Sequence, residues 1–287
     1  MKNLLTRSLS SIFLVAFIIG GILFNSITNY VLFLVILIIG SLEFYNFVRK
    51  DQYYPNRIIG LLLSVFLYTT SYLVAFKIAN IQLFLGAIPL FSLMLISELY
   101  NNKKHAIVNI STTILAVLYL ALPLSLIHFM VAFYQNQEGT LDITNQLFHT
   151  SKEVYYNSFI MIGYFMMQWS SDTGAYLAGM SFGKHRLFER ISPKKSWEGA
   201  IGGILATISI AFLTHYLYPQ LSLQNWIVIA LIIAVFGIFG DLLESLFKRS
   251  VSIKDSGNII PGHGGILDRF DSTLLGLPLV FFYLQII

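Results

Sequence analysis

An all-α integral membrane fold is predicted for this 287-residue chain by three observations. Its residues are 56% hydrophobic and 11% charged, with a mean hydropathy of +0.73. Apolar windows of about 20 residues recur from end to end, the length that crosses roughly 30 Å of hydrocarbon at 1.5 Å per residue. The few cations gather in the short segments between those windows. No soluble core could bury so much apolar surface, whereas a helix satisfies its own backbone groups in lipid.

About nine transmembrane helices are predicted, over residues 8–24, 27–47, 58–76, 79–97, 107–134, 158–182, 199–218, 226–247 and 272–287. The first follows Lys2 and Arg7 like a signal peptide but runs long and ends in Gly-Ile-Leu-Phe-Asn, a poor small-residue cleavage site, so it reads as a retained anchor. The next four are nearly pure hydrocarbon, with Glu43 and Glu98 close to their inner ends. The fifth contains Pro123, which fits either one tilted, kinked helix or two short ones.

Charge decides between these. With nine spans and a cytoplasmic N-terminus, all but Lys77 and Lys152 of the 18 Lys and Arg residues fall inside, as short cytoplasmic loops require. Splitting the fifth span would move every cation from Lys184 onward outside. The C-terminus is then outside. The polar segment 135–157 becomes an outer loop with a short interfacial helix.

The chain reads as a single polytopic membrane domain, 1–287. Residues 1–157 are mainly hydrophobic scaffold with the outer loop 135–157, and 158–287 are the catalytic portion. There is no inverted repeat, low-complexity tract or linker. Cysteine is absent, which excludes disulfides and thiolate chemistry. The net charge of +4 suits an anionic leaflet and anionic substrates.

Polar chemistry concentrates in the last four spans. A carboxylate within a transmembrane helix costs about 2.5–3.5 kcal/mol on insertion scales, so Asp172 and Asp241 each need a partner, an ion or water. Asp172 lies in MMQWSSDTGAYLAG between Gln168 and Tyr176, each four residues away on the same face; the bland alternative is a polar knot gluing helices together. Asp241 opens DLLESLFKRS, where an interfacial Glu244–Lys248 pair explains Glu244 but leaves Asp241 unexplained.

The following loop supplies Lys254, Asp255, Gly257, Pro261, Gly262-His263-Gly264-Gly265 and Asp268-Arg269-x-Asp271. If that end opens the last helix, Asp268 and Asp271 share a face one turn apart, a half-open pair suited to magnesium completed by waters and substrate phosphates. Glycines let backbone amides approach an anion, and a helix N-terminus favours it. The structural alternative is ordinary capping beside an ordinary turn. His263 could contact phosphate, ligate metal or cap a turn. The preceding inner loop adds Lys184, Arg186, Arg190, Lys194 and Lys195, with Ser192-Pro193 reading as a rigid turn. Together these groups suggest phosphoryl-group chemistry at the cytoplasmic face. No Walker loop, kinase loop or nucleophile elbow occurs, so a substrate carries the nucleophile.

Residues 245–271, SLFKRSVSIKDSGNIIPGHGGILDRFD, resemble the C-terminal signature of the phosphatidate cytidylyltransferase (CDP-diacylglycerol synthase) family. Asp172-Thr173-Gly174-Ala175-Tyr176 with Gly179, and the run from Ser192 through Gly199, are similar to other family segments, Ser196 standing where threonine is expected. The resemblance covers roughly 163–271; the first five spans share only hydropathy.

It implies a multi-helix enzyme, a homodimer, that transfers CMP from CTP to phosphatidic acid and releases pyrophosphate. Magnesium is implied, with potassium beside it, and so are membrane lipid as surroundings, no nucleic acid partner, and a bacterial inner membrane with the site facing the cytoplasm. The implied metal residues are Asp241, Asp268 and Asp271. The implied catalytic residues are Asp172, Lys195, Lys254, Asp255, His263 and Arg269. Ser192, Lys194, Ser196, Lys248, Arg249, Gly264 and Gly265 are implied to bind substrate. The competing readings are an ion-coupled transporter, which predicts midplane polar groups and repeats, and a CTP-dependent lipid or polyprenol kinase, which would release CDP.

Overall fold

The computed structural model describes residues 2–49, 53–101, 104–135, 141–142, 154–253, 255–257 and 264–287. They form the helices α1 (Lys2–Leu23), α2 (Ser26–Val48), α3 (Arg57–Ala75), α4 (Ala87–Leu99, entered through a 3-10 segment, Ile81–Gly86), α5 (Ala106–Val131), α6 (Phe159–Phe182), α7 (Trp197–Leu217), α8 (Leu223–Ser250) and α9 (Leu267–Leu284). Each overlaps a predicted span; counting the 3-10 entry of α4, most ends agree within three residues, but α1 starts six and α9 five residues earlier than predicted.

Among the described residues, six helical stretches are long and apolar enough to cross a bilayer: Ser26–Val48, Arg57–Ala75, Ile81–Leu99, Ala106–Val131, Trp197–Leu217 and Leu223–Ser250. Two of the remaining helices are less apolar because they carry polar residues. Gln168 and Asp172 dilute α6, and three charges open α9. Outward-facing side chains such as Phe13, Leu99 and Ile107 are more than two-thirds exposed, which lipid tolerates and water would not. The coarse expectation of a helical membrane protein therefore holds.

Caps explain several boundaries. Asn25 and Thr28 form a reciprocal capping box at the start of α2, and the side chains of Asn56, Ser196 and Ser222 accept an N–H at the starts of α3, α7 and α8. Of the two readings of the Pro123 segment, the single helix is correct. The helix runs unbroken through a π turn, Val117–Ala121. Pro123 lacks an N–H, and its ring excludes the carbonyl four residues back, that of Tyr119, so the backbone widens there. Above this turn His128 is fully buried among the rings of Tyr30, Tyr68 and Tyr72. Below it, Asn109 accepts the Tyr54 N–H at 2.8 Å and donates to Glu98 at 2.7 Å.

Of the predicted outer loop 135–157, residues 136–140 and 143–153 lie outside the described residues, and with them the expected interfacial helix; the described residues of this stretch pair as an antiparallel sheet of β1 (Ala132–Gln135), β2 (Leu141–Asp142) and β3 (Val154–Tyr156), ordered β2-β1-β3. Ala132 lies opposite Tyr156, and aromatic and β-branched residues such as Phe133, Val154 and Tyr155 suit a strand. The Ser192-Pro193 turn is likewise part of a hairpin, β4 (Arg186–Phe188) with β5 (Ser192–Ser196). Its base is tied to α7 by Glu198, which accepts the Lys184 and His185 N–H groups at 3.2 and 3.3 Å and meets His185 Nδ1 at 2.6 Å.

The closest helix pairing joins α6 to α7 through small residues. A methyl group added at Gly202 would lie 2.2 Å from Cβ of Ala178, and one at Gly174 would lie 2.5 Å from Cβ of Ala206. Such contact needs glycine. It brings the Asp172 face of α6 against the hairpin that leads into α7. The main core, centred on Phe33, Tyr164, Trp226 and Phe270, joins the two halves of the chain into one body.

Candidate active site

A cavity of about 810 Å³ opens between α6, α7, α8, α9 and the hairpin. Of the five carboxylates lining it, Asp172 of α6, Asp241 of α8 and Asp271 of α9 come from three different helices. Lys195, on β5, neutralises this group most directly. Its Nζ lies 2.6 Å from Asp241 Oδ2, while Ser245 donates to the other oxygen of Asp241 at 3.3 Å. Asp172 accepts from Gln168 Nε2 at 3.3 Å, the partner its spacing predicted. Asp271 is buried and accepts the N–H of Ser272 at 2.7 Å. Arg269 lies near enough to act electrostatically on Asp172.

Asp268 has a different environment. Lys248 bridges Asp268 Oδ1 at 2.6 Å and Glu244, which is fully buried, so one ammonium serves two carboxylates. Asp268 Oδ2 also accepts the N–H groups of Ser256 at 3.1 Å and Gly265 at 2.8 Å. Its oxygens are occupied in holding the loop. Gly264 makes that turn at φ +87°, where a side chain would be strained and its Cβ would stand 2.7 Å from Asp268 Oδ2.

Of the residues singled out in the sequence, Asp172, Lys194, Lys195, Ser196, Asp241, Lys248, Asp255, Asp268, Arg269 and Asp271 line the cavity. Ser192, Arg249, Gly264 and Gly265 do not; Arg249 is exposed and donates to the Ile253 carbonyl at 3.1 Å. Ser196 reaches the cavity rim, but its hydroxyl oxygen accepts the Gly199 N–H at 3.1 Å as the cap of α7. Lys254 and His263 lie outside the described residues. Among the described residues, no three His, Asp or Glu side chains converge tightly enough to hold an ion unaided. The hard oxygen donors of Asp172, Asp241 and Asp271 nevertheless fit a magnesium ion whose coordination is completed by water and substrate phosphates.

Two participants were missed. Glu43, on α2, accepts the N–H groups of Ile266 at 3.1 Å and Leu267 at 2.9 Å across more than 220 residues of sequence. Its position near the end of an apolar window was the available signal. Tyr119 sits on the π turn, its buried hydroxyl without a hydrogen-bond partner among the described residues and within electrostatic range of Asp271, Glu244 and Asp241. Nothing in its sequence context marks it except nearby Pro123. The cavity also has an apolar wall, made by Leu14, Val15 and Ile18 of α1 with Phe165 and Trp169 of α6. One cavity thus offers carboxylates, cations and hydrocarbon together.

Residues 5–287 match the model of the cytidylyltransferase family. Among curated proteins, the chain is 38% identical over 138 residues to a phosphatidate cytidylyltransferase of Haemophilus influenzae, covering 46% of this chain and 48% of that protein. It is 48% identical over 118 residues to phosphatidate cytidylyltransferases of Staphylococcus aureus and Staphylococcus epidermidis, covering 40% of this chain and 45% of theirs. The matched segment spans about half the length of each of these relatives.

Proposed function

The chain belongs to the cytidylyltransferase family, and from that premise we propose that it transfers CMP from CTP to phosphatidic acid, giving CDP-diacylglycerol and pyrophosphate. The observation that carries this reading is the single cavity whose lining combines Asp172, Asp241, Asp271, Lys195 and Arg269 with apolar side chains. A lipid phosphate and a nucleotide polyphosphate can meet there. A phosphatidate oxygen attacks the α-phosphorus of CTP, the new P–O bond forms as the bond to the β-phosphate oxygen breaks, and pyrophosphate leaves with those electrons. The lipid is the nucleophile, so the protein's task is positioning and charge compensation.

Asp172, Asp241 and Asp271 would hold magnesium, which supplies positive charge to the attacking and leaving oxygens. Lys195 holds Asp241 in place and, with Arg269, compensates phosphate charge. Lys194 stands exposed at the rim, suited to the incoming polyphosphate. We assign Asp268 to fixing the loop with Lys248, in place of direct metal ligation. Nine crossings, a cytoplasmic N-terminus and an inward-facing site belong to the same proposal. The placement of all but Lys77 and Lys152 of the 18 cations on one side supports them.

The test is to incubate the purified protein with CTP, phosphatidic acid and magnesium and assay both products. CDP-diacylglycerol and pyrophosphate are expected in equal amounts, lost on chelation and in Asp271→Asn. Release of CDP with a phosphorylated lipid would identify a kinase. Absence of either chemistry from folded protein would overturn the proposal.

A further inference from the structure

We propose that Glu43 is a positioning residue for the reaction proposed above, on which this inference rests. From the scaffold half of the chain it fixes the first turn of α9 and thereby the presentation of Asp271 and Arg269 to the cavity. Glu43 is 4% exposed, near the end of α2, and its ligands are backbone N–H groups. The first N–H groups of a helix have no intrahelical acceptor, and α9 has no side-chain cap of its own. Glu43 fills that role from a distant part of the chain, one oxygen on Ile266 and the other on Leu267, with its charge at the positive end of the helix.

The surrounding loop is closed onto this carboxylate. A methyl group at Gly257 would lie 2.4 Å from Glu43 Oε1, and one at Gly265 would lie 2.5 Å from Oε2. Asp268 holds the same turn from the other side through the Ser256 and Gly265 N–H groups, backed by Lys248. The start of α9 is thus pinned by Glu43 of α2 and, through its own Asp268, by Lys248 of α8, which sets its depth and rotation. Asp271 lies one turn further along and Arg269 beside Asp268, so rotation about this pin carries both relative to Asp241 and Asp172. A carboxylate is needed because both of its faces must accept. An amide at 43 would offer one acceptor and turn its NH₂ against the second N–H.

The experiment compares the full chain with Glu43→Gln and with Gly257→Ala, which presses on the same carboxylate from the loop and serves if the first variant folds poorly. Backbone hydrogen exchange is measured over residues 264–272 and, as an internal control, over 197–217. Steady-state kinetics are measured per folded molecule. Exchange over 264–272 is expected to quicken at least about tenfold with the control unchanged, as a lost cap opens only its own turn. The kcat is expected to fall about 10- to 100-fold, as for catalytic groups displaced by about 1 Å, while KM for CTP moves less than about threefold.

A purely structural role would lower the yield and the unfolding temperature but leave kcat of the folded fraction at the wild-type value, and that result would overturn the inference. Unaltered exchange over 264–272 in both variants would do the same. If wild-type protein makes neither CDP-diacylglycerol nor pyrophosphate, the proposed function falls and the exchange measurement alone judges the pin.

Discussion

Gly202→Ala perturbs the α6–α7 seam without removing a polar group. The added Cβ would lie 2.2 Å from that of Ala178 and 3.0 Å from the Gly174 carbonyl oxygen. Ordinary contact begins near 3.4 Å, so the helices must part by roughly 1.2 Å or more, in an interior that has no slack to absorb the shift. Overpacking of this kind costs about 1–3 kcal/mol. The displacement separates Asp172 on α6 from Lys195, which enters the cavity immediately before α7, and misplacement by about 1 Å can cost 10²-fold in rate. Thermal unfolding in detergent and CMP transfer to phosphatidic acid measure the two effects. The second substitution Ala178→Gly removes the nearest clashing atom and is expected to restore most of both. A variant Gly202→Ala with wild-type unfolding and rate, or a double variant no better than the single, would refute the close approach of these helices.

Two further outcomes follow from the site, beyond the chelation and Asp271→Asn assays. Lys248→Met leaves Asp268 and Glu244 buried without their shared ammonium and is expected to cost about 3 kcal/mol or more in thermal unfolding, with Lys248→Met/Glu244→Gln recovering part of it. Ser196→Ala removes the cap of α7 and is expected to cost about 1 kcal/mol, while Ser196→Thr retains stability; a change in KM for CTP with unaltered stability would show that the hydroxyl serves substrate instead.

The sequence revealed the helices and most of the cavity for a physical reason. Lipid demands long apolar windows, so a departure such as Asp172 or Asp241 stands out against its neighbours. The Gln168–Asp172 and Glu244–Lys248 contacts were legible because four-residue spacing on a helix fixes which side chains meet. The strands within 132–156 were not, because short stretches such as Val154–Tyr156 acquire their conformation from a pairing partner. Nor could local spacing show that Asp268 and Asp271, one turn apart, have different surroundings. Asp268 is claimed by Lys248 and two loop amides, and that depends on how α8 packs against α9. Glu43 was visible as an oddity, but its partners are backbone groups, which carry no sequence signal at all.

The π turn at Val117–Ala121 holds one residue more than an ordinary α turn would. A deletion inside the turn lets it close as regular helix, at the cost of a kink at Pro123, with His128 still among Tyr30, Tyr68 and Tyr72 and Asn109 still on Tyr54 and Glu98. The same deletion between Asn109 and the turn, or between the turn and His128, would rotate one set of contacts by about 100° against the other. The helix thus carries a single dispensable residue, and its place is the turn.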